Sequence, residues 1–135
     1  MTYGGGCLCR KIRYRIATPL GPLVYCHCSQ CRKAQSVGFA ANTPVALSSF
    51  EMLSGGELLT AFRASNNKSR YFCSNCSSAI YSHLDGADTV RIRAGTLDTD
   101  TDVVPNGHIF TGSRASWVTI QDTLDQHEGR EQGRV

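Results

Sequence analysis

The chain has no apolar run near the roughly 20 residues that span a bilayer, so no membrane helix is expected. It carries little excess charge: 14 basic and 11 acidic residues leave +3, too balanced a surface to announce nucleic acid as a partner. Met1-Thr2-Tyr3-Gly4-Gly5-Gly6 holds no basic segment followed by an apolar one, so export is not expected and a reducing, cytoplasmic setting is the default. No internal repeat and no low-complexity linker divides the 135 residues, a length that suits one domain. Nothing in the composition decides whether copies associate, and a homo-oligomer stays open.

What the sequence does have is cysteine. Seven fall into three clusters, Cys7-Leu8-Cys9, Cys26-His27-Cys28-Ser29-Gln30-Cys31 and Cys73-Ser74-Asn75-Cys76. Disulfides account for them poorly, because seven is odd and the two thiols of a Cys-X-Cys cannot bridge without strain. A tetrahedral metal accounts for them well, since a short knuckle turns two sulfurs toward one ion about 2.3 Å away. The expected cofactor is zinc, two ions per chain.

Spacing suggests how the ligands divide. Cys26, Cys28 and Cys31 reach one ion without long-range folding, which leaves the pairs Cys7/Cys9 and Cys73/Cys76 to close another. Spacing alone leaves exchanges between the clusters open. Four thiolates complete a structural zinc, whereas three leave a position where water or a substrate binds. His27 is the nearest candidate for a fourth ligand of the trio, ahead of His83 and His108. In an extended Cys-His-Cys segment, however, the middle side chain points away from its neighbours. Arg10, Lys11, Arg32 and Lys33 follow two of the clusters and either offset thiolate charge, receive the carboxylates of an anionic substrate, or are plain solvated charges.

Thirteen glycines at apparent turns, with β-branched residues between them, predict many short strands. Lys11 to Ile16 alternates charge with apolar bulk, which predicts a strand facing Ile12, Tyr14 and Ile16 to the core. Leu23-Val24-Tyr25 delivers the chain into the second cluster, and Arg32 to Ser36 is too short to assign as helix. Phe39–Asn42 and Ala46–Phe50 read as strand fragments around Pro44. Gly55-Gly56 predicts a hairpin between Glu51–Ser54 and Leu58–Arg63. Asn66-Asn67 and Asp85-Gly86 mark further turns between Ser69–Phe72, Ala79–Ser82 and Thr89–Arg93. Trp117 is expected in the core because of its apolar neighbours. Arg70 is read as an ion-pair partner and His108 as a hydrogen-bonded strand residue. The domain is expected to end near residue 127, with 128–135 a disordered tail.

Five motifs in order carry a resemblance: Gly5-Gly6-Cys7-Leu8-Cys9; Cys26-His27-Cys28-Ser29-Gln30-Cys31-Arg32-Lys33; Arg70-Tyr71-Phe72-Cys73-Ser74-Asn75-Cys76; Gly95-Thr96-Leu97-Asp98; and His108-Ile109-Phe110 with Ser116-Trp117. Over about residues 4–127 the chain resembles the glutathione-dependent formaldehyde-activating enzymes, whose domain also occurs in centromere protein V. The resemblance implies a mainly β, zinc-binding β-tent fold of short antiparallel hairpins. It implies a structural zinc on Cys7, Cys9, Cys73 and Cys76 and a catalytic zinc on Cys26, Cys28 and Cys31. It implies a carbon–sulfur lyase resembling S-(hydroxymethyl)glutathione synthase, whose partners are a small thiol and a small aldehyde.

The chain departs from the family pattern at Ser77, where glycine is common, and at Asp125, where proline follows leucine. Ser77 is expected to take a turn that glycine makes easily. The segment Ala34–Phe39 also differs and bears on substrate choice if it lines the open site. The alternatives to an enzyme are a zinc-stabilised binding module for protein or nucleic acid and a metal-buffering or thiol-redox protein. Nucleic acid is disfavoured because no aromatic residues interleave with Lys11, Arg13 and Arg15 to stack bases.

Overall fold

Short runs with period-two alternation, broken by turns, become strands. The computed structural model describes residues 2–130. In chain order the elements are Tyr3–Gly6 (β1), Arg13–Ile16 (β2), Leu23–Cys26 (β3), Ser29–Gln35 (α1), Ala40–Ala46 (β4), Phe50–Ser54 (β5), Leu59–Ser65 (β6), Lys68–Cys73 (β7), Ala79–Leu84 (β8), Thr89–Arg93 (β9), Pro105–Ile109 (β10) and Asp125–Gln126 (β11). The protein is mainly β, as expected. Among the described residues no helix is long and apolar enough to cross a membrane.

β2 lies between β1 and β5, antiparallel to both. As the alternation predicts, Ile12, Tyr14 and Ile16 are almost wholly buried. They meet Val45, Ile80, Val90 and Ile92 from the second sheet, whose order is β11-β10-β3-β4-β9-β8-β7-β6. Each of these side chains contributes roughly 1.5–3 kcal/mol by leaving water. β10 runs parallel to both β3 and β11, which the expected pattern of antiparallel hairpins does not contain.

Three local expectations need correction. Gly55-Gly56 does not close a hairpin: β5 pairs with β2, and β6 pairs with β7. Gly55, at φ +76, is instead a corner where the chain leaves one sheet for the other, and a Cβ there would stand 2.2 Å from the Lys11 carbonyl oxygen. Pro44 does not separate two fragments but lies inside β4, paired with Arg91 of β9. Its missing N–H is tolerated because the β3 pairing stops at Asn42. Trp117 is 71% exposed, and Val118 beside it is the buried residue.

The segment assigned to a tail begins within the described residues. There the Phe110 N–H donates to the Gly129 carbonyl at 2.8 Å. Residues 131–135 lie outside the described residues.

Candidate metal centre

The two sheets bring Cys7 and Cys9, just after β1, against Cys73 and Cys76, at the end of β7. The four sulfurs lie within 4.8 Å of one another. Cys7 and Cys9 Sγ are 3.5 Å apart, and Cys9 and Cys73 Sγ 3.9 Å. Sulfurs held tetrahedrally at about 2.3 Å from an ion stand about 3.8 Å apart, so this group fits a metal. The turns that shape it are tight. A Cβ on Gly6 would meet the Ile12 carbonyl oxygen at 2.1 Å, and Arg10 and Ser77 both take left-handed conformations, at φ 69 and 68. The Ile12 N–H donates to Cys7 Sγ at 3.3 Å, and the Leu8 N–H donates to Ser78 Oγ at 3.0 Å. The sulfurs are electrostatically unequal. Burial pushes Cys73 up to about 11; at Cys76 burial is outweighed by hydrogen bonds, the Ser78 hydroxyl foremost, which bring it down to about 5.

Cys26, Cys28 and Cys31 form a second group, also within 4.8 Å of one another. Cys26 ends β3; Cys28 caps α1, its Sγ accepting the Cys31 N–H at 3.2 Å. Hydrogen bonds from Cys26 and then Cys28, together with the charge of Arg93 and a hydrogen bond from Arg70, hold Cys31 far below the usual thiol range against its burial. Arg70 Nη2 reaches Cys31 Sγ at 3.5 Å and Gln30 Oε1 at 3.3 Å. Arg93, 3% exposed, donates from Nη1 to Asn42 Oδ1 at 2.7 Å. Burial lowers Arg93 to about 10, which leaves it charged at neutral pH. The trio forms part of the wall of a cavity of about 480 Å³ with Ser29, Gln30, Asn42, Ser82, Phe110, the β6–β7 turn residues Ser65–Lys68, and Arg130.

Residues 2–113 match the family described as glutathione-dependent formaldehyde-activating enzyme. The chain belongs to that family. The crystal structure of a Rhodobacter sphaeroides protein, a structural-genomics target, has a similar fold at TM-score 0.60 and 18% identity, covering 73% of this chain and 91% of that one. No curated protein matches the chain in sequence.

As a member of this family the chain brings together both cysteine groups that spacing suggested, and each can hold a metal ion. The histidines considered as a fourth ligand are engaged elsewhere. His27 Nε2 is 2.8 Å from His108 Nδ1, His108 Nε2 is 2.9 Å from Asp122 Oδ2, and His83 Nε2–H donates to the Ala87 carbonyl at 2.7 Å. Arg10, Lys11 and Lys33 are exposed, and none of these three nor Arg32 lines the cavity at the trio. Nor does the Ala34–Phe39 segment, whose Phe39 packs against Tyr25, His27 and His108. Arg70 and Arg93 act directly on the trio, and Lys68 and Arg130 also line its cavity. Arg70, expected as an ion-pair partner, places its guanidinium on Gln30 Oε1 and Cys31 Sγ.

Arg93 escaped the reading of the sequence. On β9 it shares parity with Arg91, opposite the core residues Val90 and Ile92, and so reads as solvent-facing. Arg93 is instead buried beside the charge of the trio, Cys31 foremost, and the β4–β9 register sets it directly against Asn42. An Asn opposite an Arg inside a central strand pair is the only signal available, and it needs the register.

Proposed function

We propose that this protein is a zinc-dependent carbon–sulfur lyase that joins a glutathione-like thiol to a small, formaldehyde-like aldehyde. Cys7, Cys9, Cys73 and Cys76 hold a structural zinc in this reading, and Cys26, Cys28 and Cys31 hold the catalytic one. The observation that carries it is the contrast between the two groups. One has four donors; the other has three, opens on a cavity, and has its neighbouring histidine turned away into a bond with His108. Family membership supports the same reading. All seven cysteines are unpaired, which suits a reducing cytoplasmic setting.

When bound at the trio, zinc supplies a soft Lewis acid that favours the thiolate form of a thiol at neutral pH. The chain's own contribution is charge and placement. Arg70 and Arg93 offset the negative charge that three thiolates bring to a buried position, so one more anion is tolerated there. The cavity wall is polar, with Ser29, Gln30, Asn42, Asn66 and Asn67 available to hydrogen-bond the body of the thiol. In the reaction a carbon–sulfur bond forms, the aldehyde double bond opens onto oxygen, and the proton lost by the thiol ends on that oxygen. No histidine, aspartate or glutamate lines the cavity among the described residues, so the chain accelerates the step by holding the reactants together.

The test is the rate of S-(hydroxymethyl)glutathione formation from glutathione and formaldehyde, measured against the spontaneous reaction. The zinc-loaded protein raises it, and Cys28→Ser, which leaves the four-cysteine group intact, abolishes the increase while remaining folded. A rate equal to the spontaneous one in the fully loaded protein refutes the enzyme reading and favours a metal-stapled binding module.

A further inference from the structure

A chain of three side chains, two buried imidazoles and an exposed carboxylate, runs from the cysteine trio to the surface, and its outer end fixes its direction. His27 sits between Cys26 and Cys28 and is fully buried, and His108 on β10 is 1% exposed. His27 Nε2 lies 2.8 Å from His108 Nδ1, and His108 Nε2 lies 2.9 and 3.1 Å from the two carboxylate oxygens of Asp122. Phe39 packs against both imidazoles, with ring centroids 4.9 Å from His27 and 5.8 Å from His108, and Tyr25 packs against His108 at 5.2 Å. The His27 backbone N–H also donates to the Ile109 carbonyl at 3.0 Å. The segment from Cys26 to Cys28 is therefore tied to β10 through both main chain and side chain.

Each link takes one proton, and the accounting leaves one arrangement. His108 holds the Asp122 carboxyl below its ordinary range, so it is ionised at neutral pH and only accepts. His108 Nε2 must then carry the hydrogen. Were His108 also protonated at Nδ1, His27 would have to accept at Nε2 and carry its own hydrogen on Nδ1. That nitrogen is buried without a partner, and an orphaned buried donor is rarer than an orphaned acceptor. A neutral His108 instead offers a bare Nδ1, and His27 Nε2–H donates to it.

We propose that Asp122 is a positioning residue: acting through His108, it holds His27 in the Nε2–H tautomer and so orients the Cys26–Cys28 segment of the metal site. The proposal rests on the reading of Cys26, Cys28 and Cys31 as metal ligands. It assigns a role to the otherwise unremarked segment that carries Asp122, whose Oδ1 also accepts the Leu124 N–H at 3.0 Å. Groups hydrogen-bonded directly to a metal ligand commonly change metal affinity by roughly 10–100-fold, and Asp122, acting at a further remove, is expected at the low end of that range.

The experiment is NMR of the cadmium-loaded, ¹⁵N-labelled protein, wild type and Asp122→Ala. In the wild type the ring ¹⁵N shifts should show His27 and His108 both neutral with the hydrogen on Nε2. Two ¹¹³Cd resonances are expected. In Asp122→Ala the imidazoles should lose the single tautomer, the resonance assigned to the trio should move, and cadmium affinity there should fall roughly 10-fold. The four-cysteine resonance should stay in place and report an intact fold. Two cadmium resonances with His27 carrying its hydrogen on Nδ1 overturn the relay alone, and so does an Asp122→Ala protein whose trio resonance and affinity match the wild type. A single cadmium resonance in the wild type overturns the ligand reading beneath the proposal, and the proposal with it. The wild-type tautomers decide the matter even if the variant does not fold.

Discussion

Replacing Arg70 with methionine removes the cation that touches the trio while keeping a stem of similar length. The guanidinium is 3.5 Å from Cys31 Sγ and 3.3 Å from Gln30 Oε1, and the residue is 8% exposed. At an effective dielectric constant near 20 the attraction between unit charges at that distance is about 5 kcal/mol. Desolvation of the arginine takes back much of this, and a hydrogen bond to a charged group nets about 1.5–3 kcal/mol. Gln30 lines the cavity and recovers its hydrogen bond from water, so it adds little to the loss. Zinc affinity at the trio should therefore drop by roughly 10- to 100-fold, while the four-cysteine site keeps its affinity. Competition with a chromophoric chelator, resolving two zinc equivalents, measures both sites in one titration. Arg15→Met is the control, because its pair with Glu51 is exposed and joins β2 to β5, in the sheet that does not carry the trio. Unchanged affinity at both sites, or a loss confined to the four-cysteine site, would refute the assignment of Arg70 to the trio.

Cys73→Ser removes a fully buried cysteine of the four-cysteine group. The variant should lose one zinc and its folded circular-dichroism signature, because a structural site couples roughly 10 kcal/mol or more of binding to folding; a folded variant with two zincs contradicts the partition of ligands. Ser77→Gly should raise stability by about 0.5–1 kcal/mol, seen as a higher Tm at equal metal load, because Ser77 is held at φ 68 where a Cβ is strained. A lower Tm would mean that the serine side chain earns its place. Acid should weaken the fold through His27, which burial, foremost, brings down to about 4 from 6.5. The folded value lies below the unfolded one, so the unfolded chain binds more protons between them. The stabilisation is complete above pH 6.5 and lost as pH falls toward 4, by about 3 kcal/mol. Urea unfolding of His27→Gln should show a shallower dependence over that window, and equal slopes would remove His27 from the explanation.

Much of the site was legible because ligand spacing is a local property. Cys26, Cys28 and Cys31 lie within one turn-and-helix segment, which made the remaining pairs the simplest second set, and the fold brings that set together. Alternation likewise placed Ile12, Tyr14 and Ile16 in the core. What was not legible depends on partners distant in sequence. Gly55-Gly56 carries a turn signal that says nothing about which strands pair afterwards, and a carbonyl from Lys11 decides that it is a corner. Parallel pairing of β3 with β10 joins Cys26 to Ile109, and through it His27 to His108, across a separation that no local pattern reports. Arg93 read as a surface residue because period two cannot tell solvent from a second buried face. Trp117 was misplaced by its neighbours: Val118 turns inward while the indole stays out.

The central claim is that two cysteine groups hold two ions and that only the trio's ion admits a thiol. Cobalt substitution tests it most directly, since thiolate-to-cobalt and d–d bands report each ion's ligands. Two cobalt ions per chain, with added glutathione changing the bands of one and sparing the other, is the predicted result. A single ion, or two ions whose bands ignore glutathione, would contradict it.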